Sequence, residues 1–245
     1  MAMDAGDPRT IVAMGGGGFQ MEPSEPHLDR FLLELARERS GRDRPRIALI
    51  PTATGDDPAM ESAFAQTFAA DAETSVISLF RRADEALESL VERQDAVYVL
   101  GGNTANLLAL WRLHGLDAIL RTAWERGVVM AGMSAGAICW FEACTTDSFG
   151  ATLQPLRGAL GFLAGSFVPH FHGEAQRRPL TLRLVADGTL PAGYAVDDGA
   201  ALVIRGTEVA EVVAEDRDAG AWRIEPDGGG GAVETPLPVR FLGDA

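Results

Sequence analysis

Val128-Val129-Met130-Ala131-Gly132-Met133-Ser134-Ala135-Gly136-Ala137-Ile138 reads as a buried strand, a G-x-S-x-G turn and the apolar start of a helix. A strand that turns abruptly into a helix needs residues without bulky side chains on either side of the serine. It lifts the hydroxyl above the sheet at a helix N-terminus, where the Ala135 N–H is set to stabilise an oxyanion. Outward from this elbow, three more short apolar runs precede it: Thr10-Ile11-Val12-Ala13-Met14, Ile47-Ala48-Leu49-Ile50 and Ala96-Val97-Tyr98-Val99-Leu100. None alternates, and continuous apolarity with β-branched residues is what strands covered on both faces require. A further strand is expected at Ser75-Val76-Ile77-Ser78-Leu79. Helical patterns lie between the runs. Leu28, Phe31, Leu32, Leu35 and Ala36 recur at helical spacing behind Ser24 as N-cap, and a second pattern opens after Asn103-Thr104 and carries Leu107, Leu108 and Trp111. Strand and helix thus alternate from residue 10 to about residue 145. That alternation predicts a three-layer, doubly wound, mainly parallel α/β sheet with its active site at the carboxyl ends of the strands.

After residue 190 the texture changes to short runs at residues 200–204, 209–214 and 221–224, separated by turn residues, which read as antiparallel hairpins. Asp227-Gly228-Gly229-Gly230-Gly231 reads as a flexible loop between the last strands. With 245 residues, 47% of them apolar, the expectation is one domain spanning residues 1–245. No long uncharged apolar stretch and no basic-then-apolar leader is visible, which predicts a cytoplasmic protein without a membrane partner. A net charge of −14 with scattered basic residues argues against a nucleic-acid partner. All 21 basic residues are arginine, so Schiff-base and Ser-Lys chemistry are excluded. Cys139 and Cys144 read as two buried thiols on one helix, with neither a disulfide nor a metal expected. Gly15-Gly16-Gly17-Gly18 lacks the pattern of a dinucleotide or phosphate loop, and its expected role is to let backbone pass close to the active-site rim.

A serine hydroxyl needs a base to take its proton. Of four histidines, His27 and His114 read as solvated helix residues, whereas His170 and His172 belong to Ser166-Phe167-Val168-Pro169-His170-Phe171-His172, a run that ends on the rim expected for Ser134. Residues i and i+2 share a strand face, so alternation does not choose between them unless Pro169 ends the strand. The orienting carboxylate comes from Tyr194-Ala195-Val196-Asp197-Asp198-Gly199, where only one of two adjacent aspartates should reach the histidine. The order Ser, His, Asp disfavours the α/β-hydrolases, which run Ser, Asp, His.

Together, Gly101-Gly102-Asn103-Thr104, the Gly132 to Ala137 elbow, Pro169-His170-Phe171 and the head of Asp198-Gly199-Ala200-Ala201-Leu202 resemble the peptidase E (aspartyl dipeptidase) and cyanophycinase group of serine peptidases. The resemblance implies a fold like that of class I glutamine amidotransferases (flavodoxin-like), with serine in place of their cysteine. It implies Ser134 as nucleophile, His170 as base and Asp198 as the acid, where the best-known members carry glutamate and Asp197 is the alternative. It also implies an oxyanion hole completed by Gly102, or else Gly101, and a substrate site involving Asn103 and Arg177, with Arg178 close behind. The implied reaction is hydrolysis of dipeptides with an N-terminal aspartate. The alternatives are a β-aspartyl isopeptidase of the cyanophycinase kind or a catalytically silent binding member. No cofactor and no metal are implied. The expected partner is a small peptide, the protein being a monomer or homodimer.

Overall fold

The computed structural model describes residues 7–21, 26–81 and 84–244. Its elements run β1 (Thr10–Met14), α1 (His27–Ser40), β2 (Arg46–Ile50), α2 (Pro58–Phe68), β3 (Glu73–Val76), α3 (Leu87–Glu92), β4 (Ala96–Val99), α4 (Thr104–His114), α5 (Leu116–Glu125), β5 (Val129–Met133), α6 (Ala135–Ile138), β6 (Ala143–Thr146), β7 (Gln154–Arg157), β8 (Ser166–Val168), α7 (Arg177–Ala186), β9 (Gly193–Val196), β10 (Ala200–Arg205), β11 (Glu208–Ala214), β12 (Ala221–Pro226), β13 (Ala232–Pro236) and β14 (Val239–Phe241). Ser24, expected as the N-cap of α1, lies outside the described residues.

Eight strands form one sheet in the order β14-β11-β10-β1-β5-β4-β2-β3. The stretch from β1 to β3 is parallel, as the continuous apolar runs require, while β10 joins β1 antiparallel. Both faces are covered. Val12, Met14, Leu49 and Tyr98 pack with Leu28, Phe31, Leu32 and Leu35 of α1 and with Phe64 and Phe68 of α2. The alternate residues Ile11, Ala13, Ala48 and Val97 share a second core with Leu107 and Trp111 of α4 and with Leu120 and Trp124 of α5.

A second sheet of six strands, ordered β13-β12-β9-β8-β6-β7, departs from the single sheet that the sequence suggests. Its strands are three to six residues long, and β7 is largely exposed, so they carry little of the apolar signal that marks the main sheet. One face of this sheet packs on α7 through Val168, Phe171, Leu184 and Ala195. Phe141, Phe167 and Val196 on its other side belong to the same core as α4 and α5, so apolar packing runs continuously from one sheet to the other. The C-terminal hairpin β10–β11 is antiparallel as expected, but β12 leaves it to pair with β9 and β13.

The cysteines require a correction. Both are buried, but Cys139 caps the four-residue α6 and Cys144 lies in β6. The helix ends there because Trp140 and Phe141 turn into the core and the chain drops into the second sheet.

Beneath the Gly15–Gly18 loop a buried aspartate, Asp29, lies beside a half-buried glutamate, Glu215. Asp29 of α1 has no hydrogen-bond partner for either carboxylate oxygen; the Phe19 amide is close enough to favour its charge but falls outside bonding geometry. Burial, then the neighbouring Glu215, pushes its carboxyl from the usual 3.8 up to about 7. Glu215 is itself raised by burial, although it accepts hydrogen bonds from the Gly18 and Leu28 amides and His27 favours its charge. As pH rises, the unfolded chain loses the Asp29 proton first, so the folded state is progressively destabilised between about pH 4 and pH 7. Asp29→Asn should therefore match wild type in stability near pH 4 and exceed it by a margin approaching about 4 kcal/mol above pH 7. Urea melts at several pH values check this; a gap that does not widen with pH would show that Asp29 is not the titrating group.

Candidate active site

Ser134 stands between the last residue of β5 and the first of α6, with φ 51° and ψ −113°. Left-handed backbone at a residue with a Cβ costs of order 1–3 kcal/mol and persists only where the surroundings over-determine it. Those surroundings are the two glycines of the motif. A Cβ on Gly132 would lie 2.3 Å from the Gly136 carbonyl oxygen, and one on Gly136 would lie 2.2 Å from that of Val99. The Ser134 amide donates to the Met14 carbonyl at 3.1 Å, which locks the elbow to the end of β1.

His170 has φ 50° and is one of three non-glycine residues with positive φ among the described residues, Ser134 and Asp56 being the others. Strand β8 stops at Val168, so Pro169 ends it and the chain reverses at His170. The ambiguity over base and acid resolves into two pairs. His170 Nδ1 is hydrogen-bonded to Asp198 Oδ1, and His172 Nδ1 lies 2.9 Å from Asp197 Oδ1. Asp197 also accepts from the amides of His172 and Gly220, so it braces the turn. The His172 ring is set edge-on against Trp222, 4.6 Å between centroids.

Gly15–Gly18 brings these parts together. Gly16 bridges to Asp198, the Gly199 amide donates to the Gly16 carbonyl at 3.0 Å, and a Cβ on Gly15 would sit 2.3 Å from the Asp197 carbonyl oxygen. The loop that follows β1 is therefore the spacer between the serine, held through Met14, and the acid, held through Gly16. Helix α6 in turn packs against β1, β4 and β8, the strand that leads to His170.

Gly102 is exposed, with φ 140°, and its α-carbon is pressed so close to Ala53 that a Cβ would lie 2.4 Å from the carbonyl oxygen. The Gly101 amide is already donated to Gln20 Oε1 at 2.9 Å, and the Gln20 amide returns a bond to the Gly101 carbonyl. Between the two glycines, only Gly102 keeps its N–H clear of that clamp.

Asn103 and Arg177 sit on this rim with their polar groups used inside the protein. Asn103 Oδ1 caps α4 by accepting from Asn106 N, and its Nδ2 donates to the Ser148 carbonyl at 3.0 Å. Arg177 is buried: Nε and Nη2 fork onto the Glu174 carboxylate, and Nη1 donates to the Thr145 carbonyl at 3.0 Å. Both residues were expected at the substrate; the contacts the structure shows for their side chains are internal. Arg178 points elsewhere and pairs with Glu234 of β13. Sequence reasoning did not single out Gln20, Ser148, Thr145 or Glu174. Only Glu174, three residues before Arg177 at helical spacing, carried a readable sign.

Both thiols are held in the protonated form. Burial pushes Cys144 up to about 12, outweighing the Arg177 guanidinium nearby, and lifts Cys139 well above its usual value. Among the described residues no group of His, Cys, Asp and Glu side chains is arranged to hold a metal ion, and no helix is long and apolar enough to cross a membrane.

The profile of peptidase family S51 matches residues 11–212. The chain is 47% identical over 239 residues to YgaJ, an uncharacterized peptidase of Bacillus subtilis (strain 168), a match covering 96% of this chain and 100% of that protein. It is 26% identical over 209 residues to peptidase E of Pasteurella multocida (strain Pm70), covering 82% of this chain and 87% of the relative. Its fold superimposes with a TM-score of 0.71, at 20% identity and over 94% of each chain, on the crystal structure of a peptidase from an acI-B1 Actinobacterium. With that match running through the elbow, the histidine turn and the aspartate pair alike, the chain belongs to peptidase family S51.

Proposed function

We propose that the chain is a serine-type peptidase of short peptides, working through Ser134, His170 and Asp198. The observation that carries this reading is the His170–Asp198 hydrogen bond, tied through Gly16 to the strand that holds the strained Ser134 elbow. Ser134 Oγ attacks the scissile carbonyl while His170 Nε2 takes its proton, and Asp198 on Nδ1 holds the ring in the tautomer this requires. The oxyanion is received by the N–H groups of Gly102 and Ala135. The proton passes to the departing amine, and a water then releases the acyl group by the reverse sequence. The parallel core ending in this elbow supports a kinship with class I glutamine amidotransferases. An N-terminal aspartate preference requires Arg177 to exchange Glu174 for the substrate's carboxylate. The reading favoured here is therefore a peptidase of short peptides, with that exchange left to experiment.

A fluorophosphonate probe tests the proposal. It should label Ser134 alone, as read by peptide mass spectrometry. The labelling rate should fall by about 10²-fold or more in Asp198→Asn, where the imidazole tautomer is lost, and by less than about tenfold in Asp197→Asn. Equal losses in the two variants would remove Asp198 from the triad, and labelling at another residue would remove Ser134.

A further inference from the structure

The polar rim from the base to the oxyanion donors contains one buried cation and one half-exposed carboxylate bound to it. Arg177 opens α7 with its side chain 4% exposed, whereas that of Glu174 is 45% exposed. Nε reaches Glu174 Oε2 at 2.8 Å and Nη2 reaches Oε1 at 3.3 Å. With Nη1 fastened to Thr145, the guanidinium is enclosed and the carboxylate is its outward face. Glu174 is also next to the chemistry. Its amide donates to the His170 carbonyl at 3.0 Å, and a Cβ on the preceding Gly173 would lie 2.4 Å from Asp198 Oδ2. On the far side, Thr145 leads along the chain to Ser148, whose carbonyl holds Asn103 beside Gly102.

A carboxylate offers about four acceptor positions, and the fork from Arg177 uses two of them, one through a long bond. The side chain that carries the remaining positions is 45% exposed. A substrate carboxylate entering here meets Glu174 rather than Arg177, and like charges side by side are unfavourable; a cation meets an acceptor whose geometry is already fixed. We propose that Glu174, clamped by Arg177, is a specificity-determining residue that accepts a cationic group of the peptide's N-terminal residue and disfavours an acidic one. The cation is either the free α-ammonium or a basic side chain. The proposal rests on the serine-peptidase reading given above.

The experiment measures kcat/KM on Ala-X, Lys-X, Asp-X, N-acetyl-Ala-X and N-acetyl-Lys-X amides for wild type, Glu174→Gln and Glu174→Ala. The p-nitrophenyl acetate burst at Ser134 serves as a readout that needs no N-terminal residue. Wild type should prefer Lys-X or Ala-X to Asp-X by at least about tenfold. Glu174→Gln, which keeps an acceptor for Arg177, should narrow that ratio by about tenfold or more, with the larger change in KM and the burst still present. Glu174→Ala, which bares the guanidinium, should raise activity on Asp-X. Loss of activity on acetylation assigns the cation to the α-ammonium; retention on N-acetyl-Lys-X assigns it to the side chain. A wild type that prefers Asp-X, or a ratio unchanged in Glu174→Gln while the burst persists, overturns the proposal. Absence of both burst and cleavage overturns the serine-peptidase reading itself, and this proposal with it.

Discussion

Replacing Ser134 by alanine is expected to lower kcat/KM on a short peptide amide by about 10⁴-fold, with thermal stability unchanged. Stability should hold because alanine carries the same Cβ as serine into the same left-handed conformation, φ 51°, and the elbow is held by the Met14 carbonyl and by glycine packing rather than by the hydroxyl. His170→Ala should fall by a similar factor, and the double variant should be no worse than either alone, because nucleophile and base act as one unit. Retention of more than about a hundredth of wild-type activity in Ser134→Ala would transfer the nucleophile elsewhere. The buried thiols make cysteine an unsuitable candidate for that role.

The largest stability loss is expected from Gly136→Ala. In an ordinary helix this exchange gains up to about 1 kcal/mol. Here the added methyl would lie 2.2 Å from the carbonyl oxygen and 2.7 Å from the carbonyl carbon of Val99, which is backbone in the centre of the parallel sheet and cannot rotate away. Either β4 or the elbow must move, at about 3 kcal/mol or more, which in a chain of this size lowers Tm by roughly 6–12 °C. Gly41→Ala is the control. Unlike Gly136 it sits at positive φ, 66°, and its methyl would meet nothing within 4 Å, so only the left-handed penalty of about 1 kcal/mol should appear. If both substitutions cost the same, close packing at Gly136 is not what holds the elbow.

Legibility in the sequence follows the range of the interactions involved. The centre of the main sheet could be read because β1, β2, β4 and β5 are covered on both faces and their apolar runs are continuous. The elbow could be read because its two glycines answer a local steric demand. The second sheet could not, since β7 is mostly exposed and β8 is three residues long. Nor could alternation choose between Asp197 and Asp198. Their different partners follow from Gly16, far away in the chain, which bridges to Asp198 beside His170, while Asp197 braces His172 and Gly220. Gln20 was invisible for the same reason, since its partner Gly101 is 81 residues away. The two cysteines misled at short range: five positions in an apolar stretch suit a helix, but the chain ends α6 at Ile138 to enter the second sheet.

The bridge between Gly16 and Asp198, and the pairing of β1 with β10 beside it, have a bearing on biosynthesis. The first strand to leave the ribosome is matched on one side by a strand that emerges about 190 residues later, and Asp198 arrives just ahead of it. Contacts so distant in sequence close late in folding. A chain made only as far as His170 therefore lacks Asp198, the hydrogen-bond partner of that histidine, and on the reading proposed above cannot assemble the site.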